Sequence, residues 1–202
     1  MYLSRSHAAT PDSDPHGRRG SARGCLLDAA ARRFSADGIA ATGIDTITVD
    51  AGVAKMSLYN NFDSKADLVE AYLQARQEDW LGLYADRAKA VSGSRALIGA
   101  VVDAHLDHTE LAYENGFRGC GQLNAAAELP AGHAGRALVR CHKDVVENTL
   151  RSHLAALDAG DRINKLTRHL SFLLEGSMAG LAGDGRKLKV AKQLALELGD
   201  GL

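Results

Sequence analysis

Leu58-Tyr59-Asn60-Asn61-Phe62-Asp63-Ser64-Lys65-Ala66-Asp67, entered through the turn Ala51-Gly52-Val53-Ala54, is the stretch that decides the fold. Upstream of it, Thr42-Gly43-Ile44-Asp45-Thr46-Ile47-Thr48-Val49-Asp50 has the spacing of a short helix. Its positions 44 and 47 and, past the turn, 53 are apolar and face inward. Thr42 with Asp45 and Ser64 with Asp67 each fit S/T-x-x-D/E. In that pattern a hydroxyl caps one backbone amide at a helix start and the acid favours the positive end of the helix dipole. Two helix starts are thereby predicted. Gly52 falls where a tight turn needs a residue free to take positive φ, so that the next helix crosses the first.

The rest of the chain agrees with an all-α protein. Of three Pro in 202 residues, two fall in the first fifteen, so most of the chain lacks helix breakers, and alternating strand patterns are missing. The length allows one or two domains with a sizeable core. Residues 1–20 are rich in Ser, His, Asp, Pro and Gly without an apolar period, which predicts disorder. A first helix is expected from Ala22 to Asp37, ending at Gly38, with Leu27, Ala30 and Phe34 on one face. A long helix from Ser64 carries Leu68, Val69, Tyr72, Leu73, Trp80 and Tyr84 as far as Ser92-Gly93-Ser94. Further helices are expected at about 95–114, 120–129, 132–159 and 162–182, with a last one carrying Leu188, Val190, Ala191, Leu194 and Leu198. No run is long and apolar enough for a bilayer, and no export signal is visible, which predicts a soluble, cytoplasmic protein without a membrane partner. Cys25, Cys120 and Cys141 lack C-x-x-C spacing and suit reduced thiols.

Phe34, Gly38, Thr42, Ile47, Ala51-Gly52-Val53, Leu58-Tyr59, Phe62, Ser64-Lys65 and Leu68 carry a resemblance to the TetR family of transcriptional regulators, over roughly residues 23 to 70. Gly43, Thr48 and Ala54 depart from its commonest pattern, and Gly43 and Ala54 each remove a cap or phosphate hydrogen bond of about 1 kcal/mol. The resemblance implies a disordered basic arm at 1–20, an amino-terminal three-helix domain with the helix-turn-helix at 21–66, and a larger helical ligand-binding and dimerisation domain at 67–202. It also implies a homodimer through helices 8 and 9 that binds double-stranded palindromic operator DNA. A repressor released from its operator by a small-molecule inducer is the function expected, with an activator of the same fold as the alternative.

With helix 3 in the major groove, Lys55, Met56 and Ser57 are candidates for base edges, and Thr42, Tyr59, Asn60 and Lys65 for phosphates. Tyr59 has a second reading as a ring bracing helix 3; Leu58 and Phe62 are assigned to the core. Charge is a weak guide. Residues 1–65 hold eight basic side chains and seven acids, about +1 net, short of the basic domain that DNA binding favours. Arg18, Arg19 and Arg23 cluster before the first helix, either as an arm that reaches phosphates or as a solvated tail.

Phe117 to Glu128 is similar to the sixth helix of one branch of that family. Within it Cys120 reads as packing or as room for a ligand, and Asn124 as bonding a neighbouring backbone or an inducer. Trp80, Tyr84, His105, Asn124, His142 and Phe172 lie on the helices that surround the ligand cavity in the family. They suit a small, mostly apolar or aromatic inducer with one or two hydrogen-bonding groups; a filled core is the competing reading. His105 and His108, three apart with Asp107 beside them, admit a metal-sensing variant, but the assignment is no metal and no cofactor. Metalloprotease, Walker and dinucleotide motifs are missing, so no enzyme is expected. The rivals are a helical enzyme with a buried histidine pocket and a non-catalytic helical adaptor that has lost DNA reading.

Overall fold

The computed structural model describes residues 21–110, 118–179 and 186–200. Every regular element among them is helical: α1 (Ala22–Asp37), α2 (Ile44–Asp50), α3 (Lys55–Tyr59), α4 (Lys65–Lys89), α5 (Ser94–Glu110), α6 (Gly121–Glu128), α7 (Ala134–Ala155), a 3-10 turn (Gly160–Arg162), α8 (Ile163–Ser177) and α9 (Arg186–Asp200). The expected arm, with Arg18 and Arg19, lies outside the described residues, as do Phe117 and Leu181.

Local chemistry explains most boundaries. At the start of α1 the Ser21 hydroxyl accepts the Gly24 N–H at 3.1 Å. The helix closes where Gly38 turns to φ +88° and donates its N–H to the Phe34 carbonyl. Ser64 caps α4 as its pattern predicts, accepting the Asp67 N–H at 3.1 Å, while the Asp67 carboxylate accepts the Asp63 N–H at 3.2 Å. The matching cap from Thr42 is not formed. α2 starts after Gly43, which has no side chain to cap it, and the buried Thr42 hydroxyl instead donates to the Gly38 carbonyl at 2.6 Å. An unsatisfied carbonyl at the end of α1 competes for that hydroxyl and wins. Gly52 takes φ +65°, as the turn between α2 and α3 requires.

Two apolar clusters sit end to end along α4, which at 25 residues is about 37 Å long. The first packs Leu26, Ala30 and Phe34 of α1 with Ile47, Leu58, Phe62, Leu68, Tyr72 and Leu73. Phe34 meets Tyr72 edge to face at 5.3 Å. Ala125 of α6, Leu129 and Val139 of α7 belong to the same cluster, so the amino-terminal helices share their core with the larger part. The second cluster joins Trp80 to Ile98, Val101 and Val102 of α5, Leu150 and Leu154 of α7, Leu166, Leu170 and Leu174 of α8, and Leu188 and Ala195 of α9. Ion pairs pin α5 to both neighbours: Arg87 of α4 to Asp107 at 2.5 Å and Lys192 of α9 to Asp103 at 2.7 Å.

Helix α8 is shorter than the sequence predicts. It ends at Ser177, and the Met178 carbonyl accepts the Cys120 N–H at 3.1 Å, which ties the entry of α6 to the end of α8. Among the described residues no helix is long and apolar enough to cross a membrane.

Candidate nucleic-acid interface and helical cavity

The short helix α3 is held from behind by fully buried Leu58 and nearly buried Phe62. That anchoring turns Lys55, Met56, Tyr59 and Asn60 outward and leaves Ser57 half-buried. Met56 is 67% exposed and Val49 of α2 77% exposed, which for apolar side chains is costly in water and useful against thymine methyl groups. Val49 was not singled out from sequence because an apolar residue in a helical pattern reads as core. The Lys55 ammonium lies 2.7 Å from Asp45 of α2, and that carboxylate holds its pKa above the ordinary lysine value. Behind α2, Arg33 of α1 meets Asp50 at 2.5 Å and 3.1 Å through two nitrogens. The hydrogen bond with Arg33 lowers the Asp50 pKa, and the same pair raises that of Arg33.

The four phosphate candidates divide. Tyr59 is half-exposed and Asn60 exposed. Lys65 reaches back, donating to the Ile39 carbonyl at 2.6 Å, with two ammonium hydrogens left over. Thr42 must be withdrawn as a phosphate contact, being 3% exposed with its hydroxyl committed to Gly38. Arg23 lies over the Phe62 ring at 4.9 Å.

Between α4, α5, α6, α7 and the end of α8 is a partly open cavity of about 30 Å³, room for a water or two. It is lined by Arg76, Gln77 and Trp80 of α4, His105 and His108 of α5, Cys120, Gly121 and Gln122 at the start of α6, Lys143 and Val146 of α7, and Met178. Of the six residues proposed from sequence as ligand contacts, Trp80 and His105 line it. His105 Nδ1 lies 3.0 Å from the Trp80 indole N–H, which can only donate, and 2.8 Å from the Val101 carbonyl, which can only accept, so its tautomer decides which of the two it bonds. Burial lowers the His105 pKa to about 4, so the ring is neutral. Tyr84 stands behind Trp80, stacked on it at 5.6 Å, and bonds His153 at 2.7 Å. His142, also buried, bonds Gln122, which lines the cavity.

Asn124 and Phe172 are not brought to the cavity. The Asn124 amide is exposed and donates to the Arg118 carbonyl at 3.1 Å, bracing the loop before α6. Phe172 points away from the core of α8 and is 70% exposed, because the helical period gives the inward positions to Leu170 and Leu174. The polar lining missed from sequence had a visible signal. Gln77 interrupts the apolar stripe Leu73-Trp80-Tyr84 of α4, and Lys143 falls on the stripe Val139-Val146-Leu150 of α7.

α6 connects the two sites. Cys120, Gly121 and Gln122 at its start form part of the cavity wall, and at its end the Glu128 carboxylate accepts the Ala40 N–H at 2.7 Å in the α1–α2 turn. Arg118 adds hydrogen bonds to the carbonyls of Ser35 and Ala36 at the end of α1.

Residues 26–72 match the model of the bacterial regulatory proteins, tetR family. Over 92 residues, 46% of this chain, it is 37% identical to the HTH-type transcriptional repressor KstR2 of Rhodococcus jostii, covering 45% of that protein. It is 35% identical over 92 residues to the HTH-type transcriptional activator FasR of Mycolicibacterium smegmatis, covering 42% of it. The matched segments thus span less than half of these curated relatives. A TetR-family transcriptional regulator from Streptomyces coelicolor matches throughout: its crystal structure superposes with a TM-score of 0.75 at 31% identity, over 91% of this chain and 95% of that one. With the helix-turn-helix matched by the family model and the whole fold matched at that identity, the chain belongs to the TetR family of transcriptional regulators.

Proposed function

We propose that the protein is a homodimeric repressor that reads a palindromic operator with α3 and is released from it by a small molecule bound in the α4–α8 cavity. The observation that carries this reading is α6, which touches the cavity at one end and the α1–α2 turn at the other. A ligand that displaces Cys120, Gly121 or Gln122 moves the rod whose far end holds Ala40, and with it the approach of α3 to DNA. By linkage, operator DNA then weakens ligand binding by the same factor. The outward side chains of Met56 and Tyr59 support base and phosphate contacts, and Lys55 reaches DNA by exchanging Asp45 for base or phosphate acceptors. Exposed Phe172 on α8 and Val190, Leu194 and Leu198 on α9 support the dimer, since the last three recur every four residues along one face. Neither an enzyme nor a membrane role is needed, and a DNA-binding regulator of this kind works in the cytoplasm.

Activation of transcription is the second reading, favoured by one observation: a named activator matches 46% of the chain at nearly the same identity as a named repressor. An effector screen separates ligand release from its absence. Compounds that alter Trp80 fluorescence are expected to release bound operator at the same concentrations; a library in which no binder changes DNA affinity removes the ligand-release reading.

A further inference from the structure

The cavity wall is richer in hydrogen-bond donors than a hydrophobic effector requires. Gln77 lines it and is 7% exposed, yet among the described residues its Nε2 has no hydrogen-bond partner; the same holds for the buried Nε2 of His108. A buried amide left unpaired is destabilising, and a ligand acceptor would relieve it. Lys143 also lines the cavity. Its one hydrogen-bond contact among the described residues is the Cys120 sulfur at 3.8 Å, a weak acceptor for an ammonium. Arg76 adds a second cation, ion-paired with Asp79 at 2.5 Å. The first turn of α6 faces the same space, and Cys120 at its N-cap supplies no side-chain cap to the orphan amides that follow. No Asp or Glu lines the cavity among the described residues.

From the convergence of Lys143, the unpartnered Gln77 amide and the uncapped start of α6 on one small space, we infer that the cavity is an anion site that takes the carboxylate of an effector whose apolar body lies against Trp80, Val146 and Met178. This deepens the ligand-responsive reading above and rests on it. The cavity is sized for the head group alone, so the body occupies the open side. Burial lowers the His108 pKa to about 3, with Arg76 and Lys143 opposing its protonation further, so the ring is a neutral donor or acceptor and the positive charge facing the ligand comes from Lys143 and Arg76.

Matched acid and amide pairs test this: phenylacetate against phenylacetamide, and octanoate against octanamide, at constant ionic strength. Binding is read from the single tryptophan, with DNA release measured separately by anisotropy of a selected duplex. The acids are expected to bind about tenfold or more tighter than their amides. Lys143→Met is expected to erase that difference, and Lys143→Arg to restore part of it. Amides that bind wild-type protein as well as the acids do, or no binding by either acid, would overturn the inference without needing any variant to fold. Acids that bind with the expected preference but leave DNA affinity unchanged would uphold the anion site and defeat the release reading instead. Amides that release DNA as well as the acids do would leave that reading standing without the anion site.

Discussion

Glu128 and Ala40 are joined by a 2.7 Å hydrogen bond from the Ala40 amide to the Glu128 carboxylate, across 88 positions of sequence. The bond fills an otherwise unsatisfied donor in the α1–α2 turn and fixes α6 to the DNA-reading helices. The Gly38 backbone at φ +88° lets the carboxylate approach: a Cβ there would lie 2.8 Å from Glu128 Oε1.

Gly38→Ala therefore meets two penalties, the left-handed backbone and the contact with Glu128. Thermal or urea melts are expected to show a loss of about 1–3 kcal/mol. Adding Glu128→Ala relieves the contact but not the backbone strain, so the double variant should lose less than the two single losses summed. Strict additivity would show that the two residues do not press on one another.

The reading head offers a contrast between two side chains. Met56→Ala is expected to change preference at one or two base positions by about 1–3 kcal/mol, whereas Lys65→Met should weaken all duplexes alike. Because Lys65 also holds the Ile39 carbonyl, its variant should lose thermal stability as well, while the exposed Met56 variant should not. Indistinguishable binding profiles for the two variants would remove Met56 from base reading.

Buried histidines set a pH dependence. His105 has a folded pKa near 4 against an ordinary 6.5, through burial, in a setting that also holds His108 and the cations Lys143 and Arg76. The unfolded chain binds a proton that the folded one refuses, so stability is full above about pH 6.5 and falls as pH drops toward 4, by on the order of 1–3 kcal/mol. His105→Gln should flatten the melting midpoint across that window relative to wild type. An equal slope in both proteins would assign the loss to the other buried histidine of this cavity, His108.

For assembly, Leu194→Glu or Phe172→Glu is expected to give monomers by sedimentation, each with weakened binding to a palindromic duplex. Met178 is unsuited to this test although its sequence position suggests an interface, since it is 4% exposed and lies on the cavity. A monomeric wild type at micromolar concentration with full DNA binding would contradict the proposed dimer.

Helix order and the head were legible from sequence because their signals are local: Ser64 with Asp67, Gly38 after Phe34, and Gly52 in the turn each act within a few residues. The cavity was half-legible. Trp80 and His105 stand out as large or ionisable groups on apolar faces, but Asn124 and Phe172 were misplaced. Which face of α6 turns inward depends on partners far along the chain, such as the Met178 carbonyl that holds the Cys120 amide, whereas Phe172 is turned out by the period of α8, which gives the inward positions to Leu170 and Leu174. Thr42 is withdrawn for a local reason instead: its cap pattern is intact, but its hydroxyl goes to a carbonyl four residues back.

The most direct test of the account is selection of random duplexes by the purified protein. It predicts enrichment of one palindromic sequence with half-sites about one helical turn or a multiple apart, bound with a steep salt dependence and with altered base preference in Met56→Ala. Recovery of no common sequence, or of one whose base preference ignores Met56, would contradict it.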